Sequence, residues 1–348
     1  MAEASKVVQV SRALVSVVVP ARNAEGSIRR LLLSVLGQSY DNLEIVLVDD
    51  ASKDSTALVA REMNDGRVVV VSGGGKGVSH ARNVGISASS GKYVMFADAD
   101  DQLEADAISK AVDLIEKSGS DMVIGGVRKV WFDSRQADYV IDAERPISYC
   151  GANIAAIQEA TIGYSSASDS RLDSCLLTGC WGRLIRRCKL KGCQFDESLS
   201  IGEDTVFNIE VLNICDSVIV APDIWYLYYQ NQGSAVNGYR LDAFDEGASL
   251  MEVLNAKAGS ELRNAVMRRS LFQLEGACRQ RIAHGCPETS FFSKARAIQK
   301  ELGQGYWSCF LSERTWVSRI GMKHRLFLFL ARRKMTRILC LVIALTSR

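Results

Sequence analysis

The sequence predicts an α/β domain with a mostly parallel central sheet and helices on both faces, followed by a helical C-terminal region. Three observations carry that prediction. Between residue 14 and about residue 133, short apolar runs rich in β-branched residues alternate with segments of helical period. Polar and acidic residues gather where those apolar runs stop. After about Tyr239 the strand-like runs cease and every segment reads as helix.

The strands expected at residues 15–19, 43–48, 67–71, 93–96 and 121–124 are continuous apolar runs, as strands covered on both faces require. Ile28, Leu31, Leu32, Val35 and Leu36 follow i, i+3, i+4, i+7, i+8 spacing, and Ile108, Ala111, Val112 and Ile115 repeat such a stripe, so both segments are predicted as helices with one buried face. The second of these helices is expected to start near Leu103. Residues 135–173 are polar and weakly periodic and read as a long surface connection near the site. Residues 176–190 and 204–214 read as helices, the latter from Phe207, Val211 and Ile214, before strand-like segments at 217–220 and 225–229. The helical region falls into segments 241–258, 261–284 and 288–302, separated by Gly259-Ser260 and Gly285-Cys286-Pro287. The chain thus divides into an N-terminal extension (1–13), the α/β domain (14–239), a helical region (240–312) and a basic amphipathic tail (313–348). No period of about 20 to 50 residues recurs, which argues against a solenoid.

A length of 348 residues with 47% hydrophobic content allows one large core or two moderate ones. The 42 basic and 40 acidic residues leave a formal charge of +2, so no whole-molecule field draws nucleic acid and none is expected as a partner. Ten cysteines lack a paired metal spacing, since Cys175 and Cys180 stand five apart, as do Cys188 and Cys193, and only three histidines accompany them; zinc is not expected. Residues 1–13 lack the apolar core of a secretory signal, so the expected location is a reducing cytoplasm with free thiols.

The tail differs from the rest. Glu313 is the last acidic residue, whereas Arg314, Arg319, Lys323, Arg325, Arg332, Arg333, Lys334, Arg337 and Arg348 follow it, interleaved with Leu326-Phe327-Leu328-Phe329-Leu330 and Ile338-Leu339-Cys340-Leu341-Val342-Ile343. Neither run reaches the ~20 residues that span a bilayer. Two readings stand level: a basic interfacial helix, which would place the protein peripherally on the inner face of the cell membrane, or a C-terminal helix packed on its own domain.

Chemistry concentrates at the strand ends. The run at 93–97 stops in Asp98-Ala99-Asp100-Asp101, three carboxylates in four residues. Like charges so close repel and raise one another's pKa, and a plain turn is better served by Asn, Ser or Gly. A hard divalent cation, Mg2+ or Mn2+, removes the conflict by taking one or two of the carboxylates together with substrate phosphate oxygens. The bland alternative is a solvated turn whose acids cap the helix expected near Leu103. The first strand ends in Pro20-Ala21-Arg22-Asn23 and the second in Asp49-Asp50-Ala51-Ser52. Ligands of open parallel sheets bind beyond the C-terminal strand ends, so Asp50 and Asp100 are expected to face one crevice. There Asp50 could accept an imide N–H from uracil or the N–H pair of guanine, while Asp49 and Ser52 read equally well as helix caps.

Gly73-Gly74-Gly75-Lys76-Gly77 is not a Walker loop, because Gly77 follows Lys76, and it lies after the third strand, too late for a dinucleotide fingerprint. It leaves a phosphate or base contact by Lys76 or Arg82, against a plain glycine turn. Glu203-Asp204 opens a helix, where acids are favourable for the dipole alone. Beside a metal–diphosphate site the pair also supplies a general base for a sugar hydroxyl.

With Pro20-Ala21-Arg22-Asn23, Asp49-Asp50, Ala81-Arg82-Asn83, Asp98-Ala99-Asp100 and Glu203-Asp204 in this order, residues 14–234 resemble the family 2 glycosyltransferases of the Rossmann-like GT-A fold. Trp181-Gly182-Arg183-Leu184, Glu203-Asp204-Thr205-Val206-Phe207, Tyr226-Leu227-Tyr228-Tyr229 and Ser234 are similar to the branch that builds bacterial capsule, exopolysaccharide and lipopolysaccharide chains. The resemblance implies an inverting, metal-dependent transferase of the hexosyl type, with a UDP-sugar donor, Mn2+ or Mg2+ as cofactor, and a glycan or lipid-linked acceptor. In that scheme Pro20, Arg22, Asn23, Asp50, Arg82 and Asp98 bind the nucleotide sugar, and Asp100 with Asp98 holds the metal. Asp204 is the base, and Trp181 and Glu203 stand on the acceptor side, although a Trp serves equally well as core. Two departures bear on donor and acceptor contacts rather than on the reaction: Arg22 stands where the family often has an aromatic residue, and Gly182-Arg183 where it often has Asn-Lys.

Two rival classes fit less of the sequence. A haloacid-dehalogenase-type phosphohydrolase also uses a strand followed by Asp-x-Asp, but it wants Thr or Val where Gln102-Leu103 stand and leaves Asp50, Glu203 and Asp204 idle. A non-catalytic, membrane-associated nucleotide-binding scaffold would not need the intact Asp100 and Asp204.

Overall fold

The computed structural model describes residues 12–163, 168–230, 240, 242–283, 290–313 and 320–346. Its first part repeats a strand–helix unit: β1 (Val15–Ala21), α1 (Ile28–Leu36), β2 (Leu43–Asp49), α2 (Thr56–Glu62), β3 (Val68–Ser72), α3 (Val78–Ala88) and β4 (Tyr93–Phe96). All four strands run parallel, with β1 between β2 and β4 and β3 on the far side of β2. β1 is buried along its whole length, as its unbroken apolar run predicts. α1 buries Ile28, Leu31, Leu32 and Val35, the stripe read from the spacing. α3 crosses β1 at Gly85, where a Cβ would stand 2.3 Å from Val18 Cγ1 and drive the helix off the sheet.

Four segments depart from expectation. After β4 come the two-residue β5 (Gln102–Leu103) and then α4 (Ala107–Ser118), so no helix starts at Leu103. Next is β6 (Met122–Trp131). Residues 135–173, read as a surface connection, contain β7 (Gln136–Tyr139), β8 (Ile147–Cys150) and α5 (Ile154–Ile162). Tyr149, Ile154 and Ile157 are buried there, enough apolar surface to fix these elements on the sheet despite their polar neighbours.

Residues 176–190 are not one helix. α6 (Ser174–Leu177) is short, and β9 (Arg183–Arg186) inserts antiparallel between β4 and β6. Gly182 at φ +69° interrupts any helix, and Leu184 and Ile185 lie fully buried inside the sheet, where strand pairing outweighs helical period. α7 (Glu203–Leu212) leads to β10 (Ser217–Gln230), one strand where two were expected. Its register shifts on either side of Ile224 absorb Pro222, which has no amide for the ladder. Among the described residues the sheet has ten strands, in the order β3-β2-β1-β4-β9-β6-β10-β5, with β7 on β6 and β8 on β10.

α8 (Ala243–Lys257), α9 (Arg263–Ala283) and α10 (Phe291–Leu302) fall on the three expected helical segments, and α11 (Gly305–Ser312) and, in the tail, α12 (Met322–Arg332) and α13 (Thr336–Thr346) follow them. These helices share an apolar core that includes Leu250, Leu271, Trp307, Phe327 and Leu339, and α7 lends it Val206 and Ile209. α12 and α13 therefore pack on their own protein through one face. Ser234, Gly285-Cys286-Pro287, Arg314, Arg319 and Arg348 lie outside the described residues. Among the described residues no helix is long and apolar enough to cross a membrane.

Candidate active site

β1, β2 and β4 bring their C-terminal ends to one edge of the sheet. Val18 pairs with Val46 on one side and Phe96 on the other, so the acids beyond β2 and β4 flank the end of β1. Those two strands stand about 10 Å apart, twice the inter-strand spacing.

Pro20 lies in β1 opposite Val48. Asn23, at φ +52°, accepts the Lys53 N–H on Oδ1 at 2.8 Å and donates its own N–H to Ser52 Oγ at 3.0 Å, which locks the loop after β1 to the loop after β2. Asp49 makes a local turn contact, accepting the Ser52 N–H at 3.3 Å. Asp50 is buried, and its two oxygens accept the Lys76 and Gly77 N–H groups, each at 2.9 Å. Arg22 Nη1 stands 3.8 Å from Asp50 Oδ2. The glycine-rich segment thus acts as a shelf under Asp50. Gly73 fits there because a Cβ would come within 3.1 Å of Asp50 Oδ1.

The three acids after β4 part company. Asp101 is fully buried, accepting the Tyr226 O–H at 2.7 Å and the Tyr229 N–H at 2.8 Å. Burial first, then the charges of Asp98 and Asp100, push its carboxyl well above the ordinary range. The same Tyr226 hydroxyl accepts the Asp98 N–H at 2.9 Å. Asp100 is half-buried, and its carbonyl accepts from Arg30, whose guanidinium lies 4.2 Å over the Tyr229 ring. None of the three caps α4, whose N-cap position is Asp106.

Arg82 joins the remaining groups. Buried on α3, it donates from Nη2 to Asp98 Oδ1 at 3.0 Å, and from Nη1 to Asp204 Oδ1 at 2.7 Å and Glu203 Oε1 at 3.2 Å. Asp204 Oδ2 also accepts the Cys180 N–H at 3.3 Å. That amide is positioned from α7 itself, because the buried Asn208 donates to the Gly179 carbonyl at 2.9 Å. Burial raises the Asp204 carboxyl above its ordinary value, Arg82 opposes the rise, and Asp98 adds to it. Glu203 is raised by burial and by the Asp204 charge, again against Arg82. Burial works against the Arg82 cation, but the surrounding acids, Asp204 foremost, hold its pKa well above normal. One guanidinium therefore makes three clustered carboxylates compatible.

Trp181 is half-buried and stacks against Tyr226 at 5.1 Å and Tyr228 at 5.6 Å, with ring planes 4° and 16° apart. Gly179 leaves it room, since a Cβ there would meet the indole at 2.4 Å. The structural roles of four residues escaped the sequence reading, although three of them stood in its motifs. Arg30 gives no signal on a helix otherwise read from its apolar stripe. Tyr226 was visible only as one of three tyrosines. Arg183 is fully buried, donates to the Leu177 carbonyl at 3.0 Å, and is lowered by burial to about 10. Asn83 clamps Phe195, donating to its carbonyl at 2.9 Å and accepting its N–H at 2.8 Å.

Among the described residues no group of three or more His, Cys, Asp or Glu side chains is arranged to hold a metal ion. Asp98 has only Oδ1 engaged among those residues, which leaves Oδ2 as a hard oxygen donor near Asp100. Such a sparse carboxylate set suits Mg2+ or Mn2+, which bind through one or two protein carboxylates and complete their shell from phosphate oxygens.

A mixed sheet with acids beyond its parallel strands and an acid pair at the start of α7 fits the GT-A fold that the resemblance implies. Residues 16–169, a little under half of the chain, match the family model Glycosyl transferase family 2. It is 26% identical over 300 residues to the glycosyltransferase GlyA of Streptococcus pneumoniae, an alignment covering 83% of this chain and 41% of GlyA. It is 33% identical over 113 residues to the Escherichia coli UDP-Glc:alpha-D-GlcNAc-diphosphoundecaprenol beta-1,3-glucosyltransferase WfgD, covering 32% of this chain and 45% of that protein. The chain thus spans less than half the length of either relative. Among solved structures, S. aureus TarS 1–349 in complex with UDP-GlcNAc shares the fold at a TM-score of 0.66 and 19% identity, over 95% of this chain and 90% of that one. The family match leaves the phosphohydrolase reading without support.

Proposed function

We propose that the chain transfers a sugar, with inversion at the anomeric carbon, from a UDP-sugar to a hydroxyl of a glycan or lipid-linked acceptor in bacterial surface polysaccharide synthesis. The observation that carries this reading is the Arg82 bridge between Asp98, on the donor side, and Asp204 at the head of α7. WfgD, by its name, uses UDP-Glc and a diphosphoundecaprenol-linked acceptor. TarS, which shares the fold, binds UDP-GlcNAc. A lipid-linked acceptor is presented at the inner face of the cell membrane, which is the working location this reading implies.

The roles follow from placement. Each Asp50 oxygen has a second lone pair beyond the one given to the glycine shelf, so Asp50 can still accept a nucleobase N–H. Pro20, Arg22 and Asn23 shape the same strand end. Asp98 approaches the ribose and, with Asp100, would hold Mn2+ or Mg2+. The ion, when bound, supplies charge neutralisation for the departing diphosphate. Asp204 takes the acceptor hydroxyl proton as that oxygen bonds to C1, on the face opposite the breaking C1–O bond whose electrons leave with UDP. Its raised pKa makes Asp204 a stronger base than an ordinary carboxylate. Glu203 and the exposed part of Trp181 line the acceptor side.

Release of UDP from a panel of nucleotide sugars in the presence of Mn2+ tests the proposal. One UDP-sugar is expected to be turned over, with chelation abolishing the reaction, and Asp100→Ala should lose donor binding and transfer together. A protein that binds UDP but turns over none of the nucleotide sugars would return the scaffold reading, and one that binds no UDP with Mn2+ present would overturn the proposal.

A further inference from the structure

The helical region carries a surface that the sugar chemistry does not use. On α12, Phe327, Leu328, Leu330 and Ala331 are buried, yet Met322, Leu326 and Phe329, at i, i+4 and i+7, are exposed. On α13, Leu339, Cys340 and Ile343 are buried, while Ile338, Leu341 and Leu345, at i, i+3 and i+7, are exposed. Helices that only packed on their own protein would carry polar residues along the outward stripe.

Beside these stripes, α10 and the start of α13 border a groove of about 820 Å3 whose lining includes Phe292, Arg296, Lys334, Met335, Arg337 and Ile338. Phe292 is 65% exposed, and the Arg337 guanidinium stands 5.4 Å over its ring. Among the described residues no carboxylate lines the groove, and no acidic residue follows Glu313 in the sequence. Outward apolar side chains mixed with cations and without anions complement one partner best. A bilayer takes Phe and Leu at its acyl boundary and Lys and Arg at its phosphates.

We propose that the outward faces of α12 and α13, with the groove beside α10, dock on a bilayer containing anionic phospholipid, a headgroup phosphate seating among Arg296, Lys334 and Arg337. α12 and α13 are 11 residues each, too short to span, so they lie in the plane of the interface. This inference concerns where the protein sits and stands apart from the reading of the acidic cleft.

Flotation of the full chain with vesicles tests it, using phosphatidylcholine alone and phosphatidylcholine mixed with phosphatidylglycerol. The wild type is expected to float with the anionic vesicles, to be released by high salt, and to stay behind with the neutral ones. The charge-reversed triple variant Arg296→Glu, Lys334→Glu, Arg337→Glu should bind at least about tenfold more weakly. The pair Phe292→Ser, Leu341→Ser should also weaken binding. Circular dichroism checks that each variant keeps its helices, and either folded variant decides the question alone. Equal binding to both vesicle types, binding to neither, or full binding by a folded variant would overturn the proposal. So would a stable dimer dispersed by the serine pair, which would make a second copy the occupant.

Discussion

Arg82 holds Asp98 and Asp204 at once, at 3.0 and 2.7 Å, although one follows β4 and the other opens α7. Arg82 is the charge that opposes the rise of the Asp204 carboxyl. Arg82→Met should therefore raise that pKa further and move the acid limb of the kcat–pH profile upward, by on the order of one pH unit, or about 1.4 kcal/mol. Arg82→Lys should fall between the two. A profile lowered in height at an unchanged midpoint would show that Arg82 acts on packing alone.

Asp101 sets a pH dependence of stability. Its pKa is raised in the folded protein, so above the ordinary Asp value of ~3.9 the native state keeps a proton that the unfolded chain has released. The stabilisation is complete below that value and is lost as pH rises through the folded pKa. Glu203 and Asp204 shift in the same direction and contribute slopes of the same sign. Asp101→Asn removes the charge and keeps a carbonyl acceptor, so urea midpoints measured across this range should fall less steeply with pH than in the wild type. An identical slope would mean that Asp101 does not titrate there.

Gly125 tests the packing of β6 on β10. A Cβ at this position would lie 2.0 Å from Trp225 Cδ2, and the indole is buried and rigid. Gly125→Ala should cost at least ~1–3 kcal/mol by overpacking, seen as a lower urea midpoint with an unchanged m-value. A neutral result would show that the sheet yields at this point.

The parallel half of the sheet was legible because β1, β2 and β4 are largely buried on both faces and read as apolar runs, and β3, an edge strand that is only partly covered, keeps the run Val68–Val71. β9 was not, because Leu184 and Ile185 are too few to separate strand from helix, and only Gly179 and Gly182 hinted at a break. β7 and β8 were hidden by their polar outward residues. At the site, residue types at strand ends pointed to Asp50, Asp98 and Asp100, and an acid pair opening a helix pointed to Asp204. What could not be read is how they are held. The Asp50 partners are main-chain amides, Asp101 turns inward to Tyr226, and Arg82 reaches α7 from a helix more than a hundred residues earlier in the chain.

Transfer from a UDP-sugar by the wild type beside Asp204→Asn, with Mn2+ and with donor affinity measured in parallel, is the most direct test of Asp204 as the group that takes the acceptor proton. Turnover should fall about 100- to 10,000-fold while donor affinity is kept. Transfer at near wild-type rates by Asp204→Asn, or donor affinity lost along with turnover, would contradict that role.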